Sequence, residues 1–291
     1  MLRSGLRTNG NKFFYMKILK NHDELVYVCN EDKYKFFIEK KYLIPILRTP
    51  RELNHSYQIK KLTTYCLYIS DDIISESEYI HKYIKEYENK VIINRFTHEK
   101  IVGYHNKFSN KKTKWYQLHL MKPAHIFLPH FWREHIYIPF SVKPIISDNS
   151  FILVYTSNPE KLWLYLNSTI FYLTMELYSR RLGGGVGECE VIDYNIFPVP
   201  SLDIIDRIDY DMNKLLNRQS QVYYNEVNDI NRRELDIAVL HALGFSEDEI
   251  NNLLEQLYID FITLVHNRLI KSGRKRDIIS LEKTRQRINI E

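Results

Sequence analysis

Cysteine is scarce in this chain of 291 residues, and the three present, Cys29, Cys66 and Cys189, stand far apart. That pattern excludes a disulfide framework and a cysteine-built zinc site, and it fits a reducing cytoplasm. No apolar run reaches the roughly 20 residues a membrane-spanning helix needs. The N-terminus also lacks the uninterrupted apolar core of a signal peptide. No internal repeat is visible. A large charge of one sign is missing too: a net charge of +5 and a pI near 8.8 only weakly favour a polyanionic partner. The expectation is a cytoplasmic protein without membrane attachment.

What is present is apolar and, above all, aromatic. With 44% hydrophobic residues the chain can build one large domain or two smaller ones. Its 22 tyrosines and 14 phenylalanines suit a half-buried sheet, and they suit equally a surface on which bases stack. The charge is unevenly spread. From Lys271 onward there are seven basic residues against three acidic ones. A second basic cluster, Lys107, Lys111, Lys112 and Lys114, runs into Trp115 and Tyr116.

Up to about Pro200 the periodicity is that of short strands and turns. Strand candidates are Glu24 to Cys29, Lys90 to Asn94, His125 to Leu128 and Phe151 to Tyr155. One clear helix interrupts them: Asn158 can cap it, Pro159 suits its first position, and Leu162, Leu166, Ile170, Leu173 and Leu177 form a stripe ending at Gly183. Beyond Pro198-Val199-Pro200 the pattern becomes helical. Asn231 and Glu234 have the spacing of a capping box, with Gly244 closing that helix, and Ser246 and Glu249 form a second box. The long helix it opens carries Ile250, Leu253, Leu254, Leu257, Phe261, Leu264 and Val265 on one face and should end near Ser272 and Gly273. The chain therefore reads as α+β: a mixed-sheet domain over 1–200, a helical domain over 201–272 and a basic, flexible tail over 273–291.

Several motifs carry possible chemistry. Leu182-Gly183-Gly184-Gly185-Val186-Gly187-Glu188 has the composition of a turn that cradles S-adenosylmethionine. Such cradles need a strand before the glycines and a helix after them, whereas here a helix precedes them. The reading preferred is a tight or flexible loop with Arg180 and Arg181 at its entry, either serving the end of the helix or approaching DNA phosphates and bases. Lys111, Lys112 and Lys114 either neutralise phosphates or sit on an exposed loop ahead of a strand whose Trp115 enters the core. His125, His130 and His135 are five apart and broken by Pro129, so they share no helix face as a zinc pair would. Glu39-Lys40-Lys41 and Glu88-Asn89-Lys90 contain a nuclease-like Glu-x-Lys, without a convincing upstream Asp, and read as solvated charge.

Four segments, in order, resemble the TaqI-like C-terminal target-recognition half of adenine-N6 DNA methyltransferases from restriction–modification systems. The first runs from Gly5 through Thr8, Asn9 and Asn11 to Phe13, Phe14 and Tyr15, with Asn9 where that family has glycine. The second is Trp115-Tyr116-Gln117-Leu118 with Pro123 and Ile126-Phe127-Leu128-Pro129. The third joins Leu166-Asn167-Ser168-Thr169 to Glu176, Arg180, Gly183, Gly184, Gly185, Asp193 and Phe197-Pro198-Val199-Pro200. The fourth is Arg232-Arg233-Glu234-Leu235-Asp236 with Leu243-Gly244-Phe245.

The resemblance implies sequence-specific binding of double-stranded DNA in service of adenine methylation. For that role the phosphate contacts are expected from Lys111, Lys112, Lys114, Arg180 and Arg181, with close approach at Gly183, Gly184 and Gly185, and Arg7, Asn11 and Arg133 are the candidate base readers. No catalytic Asn-Pro-Pro-Tyr or Asp-Pro-Pro-Tyr occurs. No cofactor is therefore expected in this chain, with S-adenosylmethionine held by a missing or partner catalytic domain or subunit. The alternatives are a divergent S-adenosylmethionine-dependent methyltransferase or nuclease, and a split subunit that docks a separate catalytic chain.

Overall fold

The computed structural model describes residues 1–69, 77–93, 100–104, 114–119 and 121–271. The chain packs as two compact units, one of Met1–Gly5, Arg48–Lys60 and Pro123–Glu291, the other of Leu6–Leu47 and Lys61–Lys122. The first unit holds residues on both sides of Pro200. The fold class is α+β, as expected: antiparallel ladders with a parallel bridge between Gln58 and Phe140, and the two longest helices of the described residues following the last strand. No helix among the described residues is long and apolar enough to cross a membrane. The basic tail beyond 271 lies outside the described residues.

In the unit of Leu6–Leu47 and Lys61–Lys122, strands Leu43–Leu47, Thr64–Leu67, Tyr15–His22, Leu25–Asn30 and Lys35–Glu39 lie side by side in that order, each pair antiparallel. Leu25–Asn30 alternates with period two, turning Val26, Val28 and Asn30 inward. The approach to Tyr15–His22 is a tight turn. Asn9 takes φ 54°, the left-handed conformation that glycine adopts freely and asparagine tolerates. Gly10 N–H donates to Thr8 Oγ1 at 3.2 Å, and the Gly10 carbonyl accepts from Phe13 and Phe14.

This unit also holds a helix that the sequence reading missed, Glu78–Glu88, capped by Ser77 accepting from Ile80 N. Its buried positions are Ile80, Tyr83, Ile84 and Tyr87, a helical spacing disguised by tyrosines that equally suit a sheet. Tyr83 stacks on Phe36 at 4.0 Å and on Phe13 at 4.7 Å, and Trp115 meets Phe13 at 4.7 Å. Trp115 therefore packs on the core, as expected. Buried phenols need partners. Tyr83 donates to the Phe13 carbonyl at 2.8 Å, and the Asn30 amide donates to the Tyr83 hydroxyl at 2.7 Å and to the Tyr87 hydroxyl.

In the other unit, strands Leu2–Ser4, Phe151–Val154, Ala124–Pro129 and Phe140–Ser147 form an antiparallel sheet. Phe151–Val154 is buried at every position, the pattern of a strand covered on both faces. Asn158 caps its helix as expected, but that helix runs only over Pro159–Leu166, and a second begins at Thr169 and ends at Tyr178. The break has a polar cause. Ser168 caps the second helix by accepting from Phe171 N, while Asn167 accepts from Ile138 N at 3.0 Å and donates to Ile138 O at 3.1 Å. One stripe thus becomes two, and Leu177 is left exposed.

The C-terminal helices follow the expected sites with one shift. Helix Ile230–Ala242 is capped by Asp229, which accepts from Asn231 N at 2.9 Å and Arg232 N at 3.3 Å, rather than by Asn231. A carboxylate there both caps and complements the helix dipole. Gly244 takes φ 97° beyond its end. Ser246 N donates to Glu249 at 2.8 Å at the start of Glu247–Ile270, whose buried face holds Ile250, Leu254, Phe261 and Val265 while Leu253 stays exposed.

Candidate nucleic-acid interface

The glycine-rich motif is a β-hairpin. Arg180–Leu182 pairs antiparallel with Val186–Glu188, and Phe131–Trp132 pairs along the other edge of Val186–Glu188. Gly184 and Gly185 adopt φ 75° and 70°, which side-chain-bearing residues rarely do. A strand, not a helix, follows the glycines, so the backbone geometry is not that of a cofactor cradle. Gly187 is required for another reason: a Cβ there would stand 2.6 Å from Cε2 of Trp132, its neighbour across the ladder.

The hairpin is anchored by a buried ion pair from distant sequence. Arg268, in the last turn of the long helix, donates from Nε to Glu176 Oε2 at 2.9 Å and from Nη2 to Oε1 at 2.8 Å. The same guanidinium donates to the carbonyl of Gly185 and, at 2.9 Å, to that of Arg133. Glu176 also accepts from Trp132 Nε1 at 2.8 Å. Both charged groups are almost wholly buried. Such a fork satisfies its donors, and removing one partner of a buried pair typically costs about 3–5 kcal/mol.

The two arginines at the hairpin entry differ. Arg180 lies among Asp193 at 3.0 Å, Glu190 at 3.7 Å and Glu188 at 3.8 Å. Its charge is therefore already met, and it braces the hairpin against the turn after it. Arg181 and Gly183 are exposed, and Arg181 joins none of these pairs.

Beside the hairpin lies a cleft of about 510 Å³, walled by the 50–55 turn, the 131–137 segment and Val186. Phe131 is 50% exposed there. His55 stacks on His135 with ring centroids 3.8 Å apart and planes 17° from parallel. The backbone is strained at this rim: Asn54 and His55, neither a glycine, take φ 45° and 62° in succession. Burial lowers the His55 pKa below the usual 6.5, the neighbouring His135 lowers it further, and Glu134 partly offsets both. Arg51 is exposed on the same cleft, and Arg133 lies 3.5 Å from Glu134.

Of the residues singled out by sequence, Arg133, Arg180, Arg181, Gly183, Gly184 and Gly185 share one unit, and Arg268 ties Arg133 to Gly185. Arg7, Asn11 and Lys114 belong to the other unit and are exposed. Lys111 and Lys112 lie outside the described residues. The three histidines bind three different carbonyls: His125 that of Ser141, His130 that of Cys189 and His135 that of Ser220. Among the described residues no three His, Cys, Asp or Glu side chains are grouped to hold a metal ion. Of the Glu-x-Lys triplets, Glu39 accepts from Ser77 and Lys90 pairs with Asp32.

Sequence reasoning missed the cleft and the Arg268–Glu176 pair altogether. It also did not see that many motif residues are internal struts. Asp236 accepts from Thr169 N at 2.7 Å, Thr169 Oγ1 at 2.6 Å and Tyr258 at 3.0 Å. Arg232, fully buried, pairs with Glu226 at 2.8 Å and donates to Tyr57 at 2.7 Å. Burial raises the Glu226 pKa, but Arg232 and Arg218 overcome this and hold it at about 2.

No protein-family model matches the sequence, and no curated protein does. Solved structures do match. The type IIG restriction endonuclease BpuSI superposes with a TM-score of 0.53 and 14% identity, over 81% of this chain and 27% of that one. The type IIL restriction–modification enzyme MmeI, solved in complex with DNA, gives a TM-score of 0.51 and 16% identity over 90% of this chain and 35% of that one. The fold is similar to part of each of these two restriction–modification enzymes. The chain spans only about a quarter to a third of the length of these two proteins.

Proposed function

We propose that this chain is the sequence-specific DNA-binding, target-recognition portion of an adenine-N6 DNA methyltransferase of a restriction–modification system. The observation that carries the reading is the fold likeness along 90% of the chain to MmeI, an enzyme whose structure is a DNA complex. Arg181, Lys111, Lys112 and Lys114 would neutralise phosphates, and the bare Gly183 would let the hairpin approach a groove. Arg7, Asn11 and Arg133 would read base edges, arginine pairing with guanine and asparagine with adenine. Arg180 would act chiefly by holding the hairpin. Methyl transfer would fall to a catalytic domain that binds S-adenosylmethionine.

The test is binding of the purified chain to a mixed-sequence duplex across a salt series. A plot of log affinity against log salt with a slope of several negative units is the expected result, since each phosphate contact contributes about −0.9. Flat, salt-independent behaviour or no binding contradicts the reading.

A second reading, a subunit that docks a separate catalytic chain, has one observation in its favour. Leu177, Tyr178, Ile192, Ile196, Val199 and Leu202 are all exposed within one short stretch of sequence. Co-purification with a methyltransferase chain, lost on Ile192→Asp with Ile196→Asp, supports it, and a lone monomer from the same host lysate counts against it.

A further inference from the structure

We propose that the cleft between the 50–55 turn and the 131–137 segment receives one unstacked nucleotide of the bound DNA, its base against Phe131 and His55 and its phosphate at Arg51. This rests on the DNA-recognition reading and assigns a site within it.

Three independent features converge on that ligand. The first is aromatic surface. Phe131 is half exposed inside a concave wall, where an apolar ring gains nothing from water. His135 covers one face of His55 and Tyr137 meets the ring edge-on at 6.0 Å, while the residue as a whole remains exposed at the cleft. Stacking platforms of this kind accept any base, because every base presents a π face.

The second is charge. The lining holds the cations Arg51 and Arg133, the anion Glu134 and two histidines. Glu134 lies beside Arg133, leaving the exposed Arg51 as one surplus positive charge, the complement of a single phosphodiester. The volume of about 510 Å³ lies within the range of roughly 300–1,000 Å³ usual for small organic ligands.

The third is preorganisation. Consecutive left-handed conformations at Asn54 and His55 persist only where the surroundings impose them. Here the His55 carbonyl accepts from Ser220 N at 2.7 Å, and Ser56 bridges to Gln219. Opposite, the wall is fixed by Trp132 on Glu176 and by Arg268 on the Arg133 carbonyl. In that conformation the His55 ring is stacked on His135 in the lining of the cleft.

Pulling a paired base out of a duplex is costly, so a duplex with the base already extrahelical isolates the site. The probes are a short duplex carrying one bulged 2-aminopurine, the same duplex fully paired, and free dAMP. The chain is expected to bind the bulged duplex about tenfold more tightly than the paired one, with 2-aminopurine fluorescence quenched by stacking. Phe131→Ala and His55→Ala should abolish the preference and the quenching while keeping affinity for the paired duplex within about twofold, since neither need touch it. Arg51→Ala should weaken the bulged complex and flatten its salt dependence. Equal affinity for both duplexes overturns the proposal and leaves the DNA-recognition reading standing. Failure to bind either duplex contradicts that reading itself. Tight binding of dAMP alone, lost in Phe131→Ala, would make this a free-nucleotide site and also overturns the assignment.

Discussion

Glu226 shows how single residues set the behaviour of this protein. Its carboxylate accepts from Tyr57 at 2.8 Å and from Arg232 at 2.8 Å, and also receives Arg218. Its pKa of about 2 in the fold lies below the ordinary 4.5. The sign follows from linkage. The carboxylate's contribution is complete above pH 4.5 and is lost as pH falls from 4.5 towards 2, on the order of 3 kcal/mol in all. Glu226→Gln should cost about 3–5 kcal/mol at neutral pH by stranding the buried Arg232 guanidinium and taking one partner from the half-buried Arg218, and should make stability between pH 4.5 and 2 less steep. Thermal melts of both proteins at pH 7 and pH 3 check both effects. His55 has the same acid-side sense: its lowered pKa means that folded stability declines as pH drops below 6.5. Its imidazole resonance should titrate below that of a free histidine in an NMR series, and a midpoint at or above 6.5 contradicts the stacked geometry. Neither residue was legible in the sequence. Glu226 and Tyr57 are 169 positions apart, and no local period encodes a partner at that distance.

At the scale of elements, the hairpin of Arg180–Leu182 and Val186–Glu188 is held by its two neighbours rather than by its own turn. Gly187→Ala pushes a methyl group into the Trp132 ring and should destabilise the protein by about 1–3 kcal/mol, while Gly183→Ala, with open space around it, should be nearly neutral. Paired denaturant titrations give the comparison, and equal effects would contradict the packing. Arg268→Met removes the hairpin's anchor and should cost about 3–5 kcal/mol, with faster amide exchange in the 180–188 segment than elsewhere in the same unit. Elements with local punctuation were legible: the Asn158 cap, the Ser246 box, the buried run Phe151–Val154 and the turning glycines. The break at Asn167 and Ser168 was not, because leucine spacing runs on across it while the side chains that break it answer to Ile138. The Glu78–Glu88 helix was hidden by its tyrosines, and Asp229 took the cap from Asn231 because the chain offered two acceptors near one helix start.

At the scale of the whole molecule, the α+β class and the two long C-terminal helices were readable, and so was a likeness to part of a restriction–modification enzyme. The division into two units was not, since each gathers segments that are discontinuous in sequence. The functional claim is electrostatic at this scale, because a net charge of +5 is modest and specific contacts must supply the rest. Arg181→Ala should weaken binding of all duplexes similarly and reduce the salt slope by about one, whereas Arg133→Ala should relax preference at one base position. The most direct test of the central claim is selection by the purified chain from a library of random duplex DNA, at two salt concentrations. The account predicts enrichment of one defined site, with affinity falling steeply as salt rises. Salt-sensitive binding with no enriched sequence, or no binding at all, would contradict it.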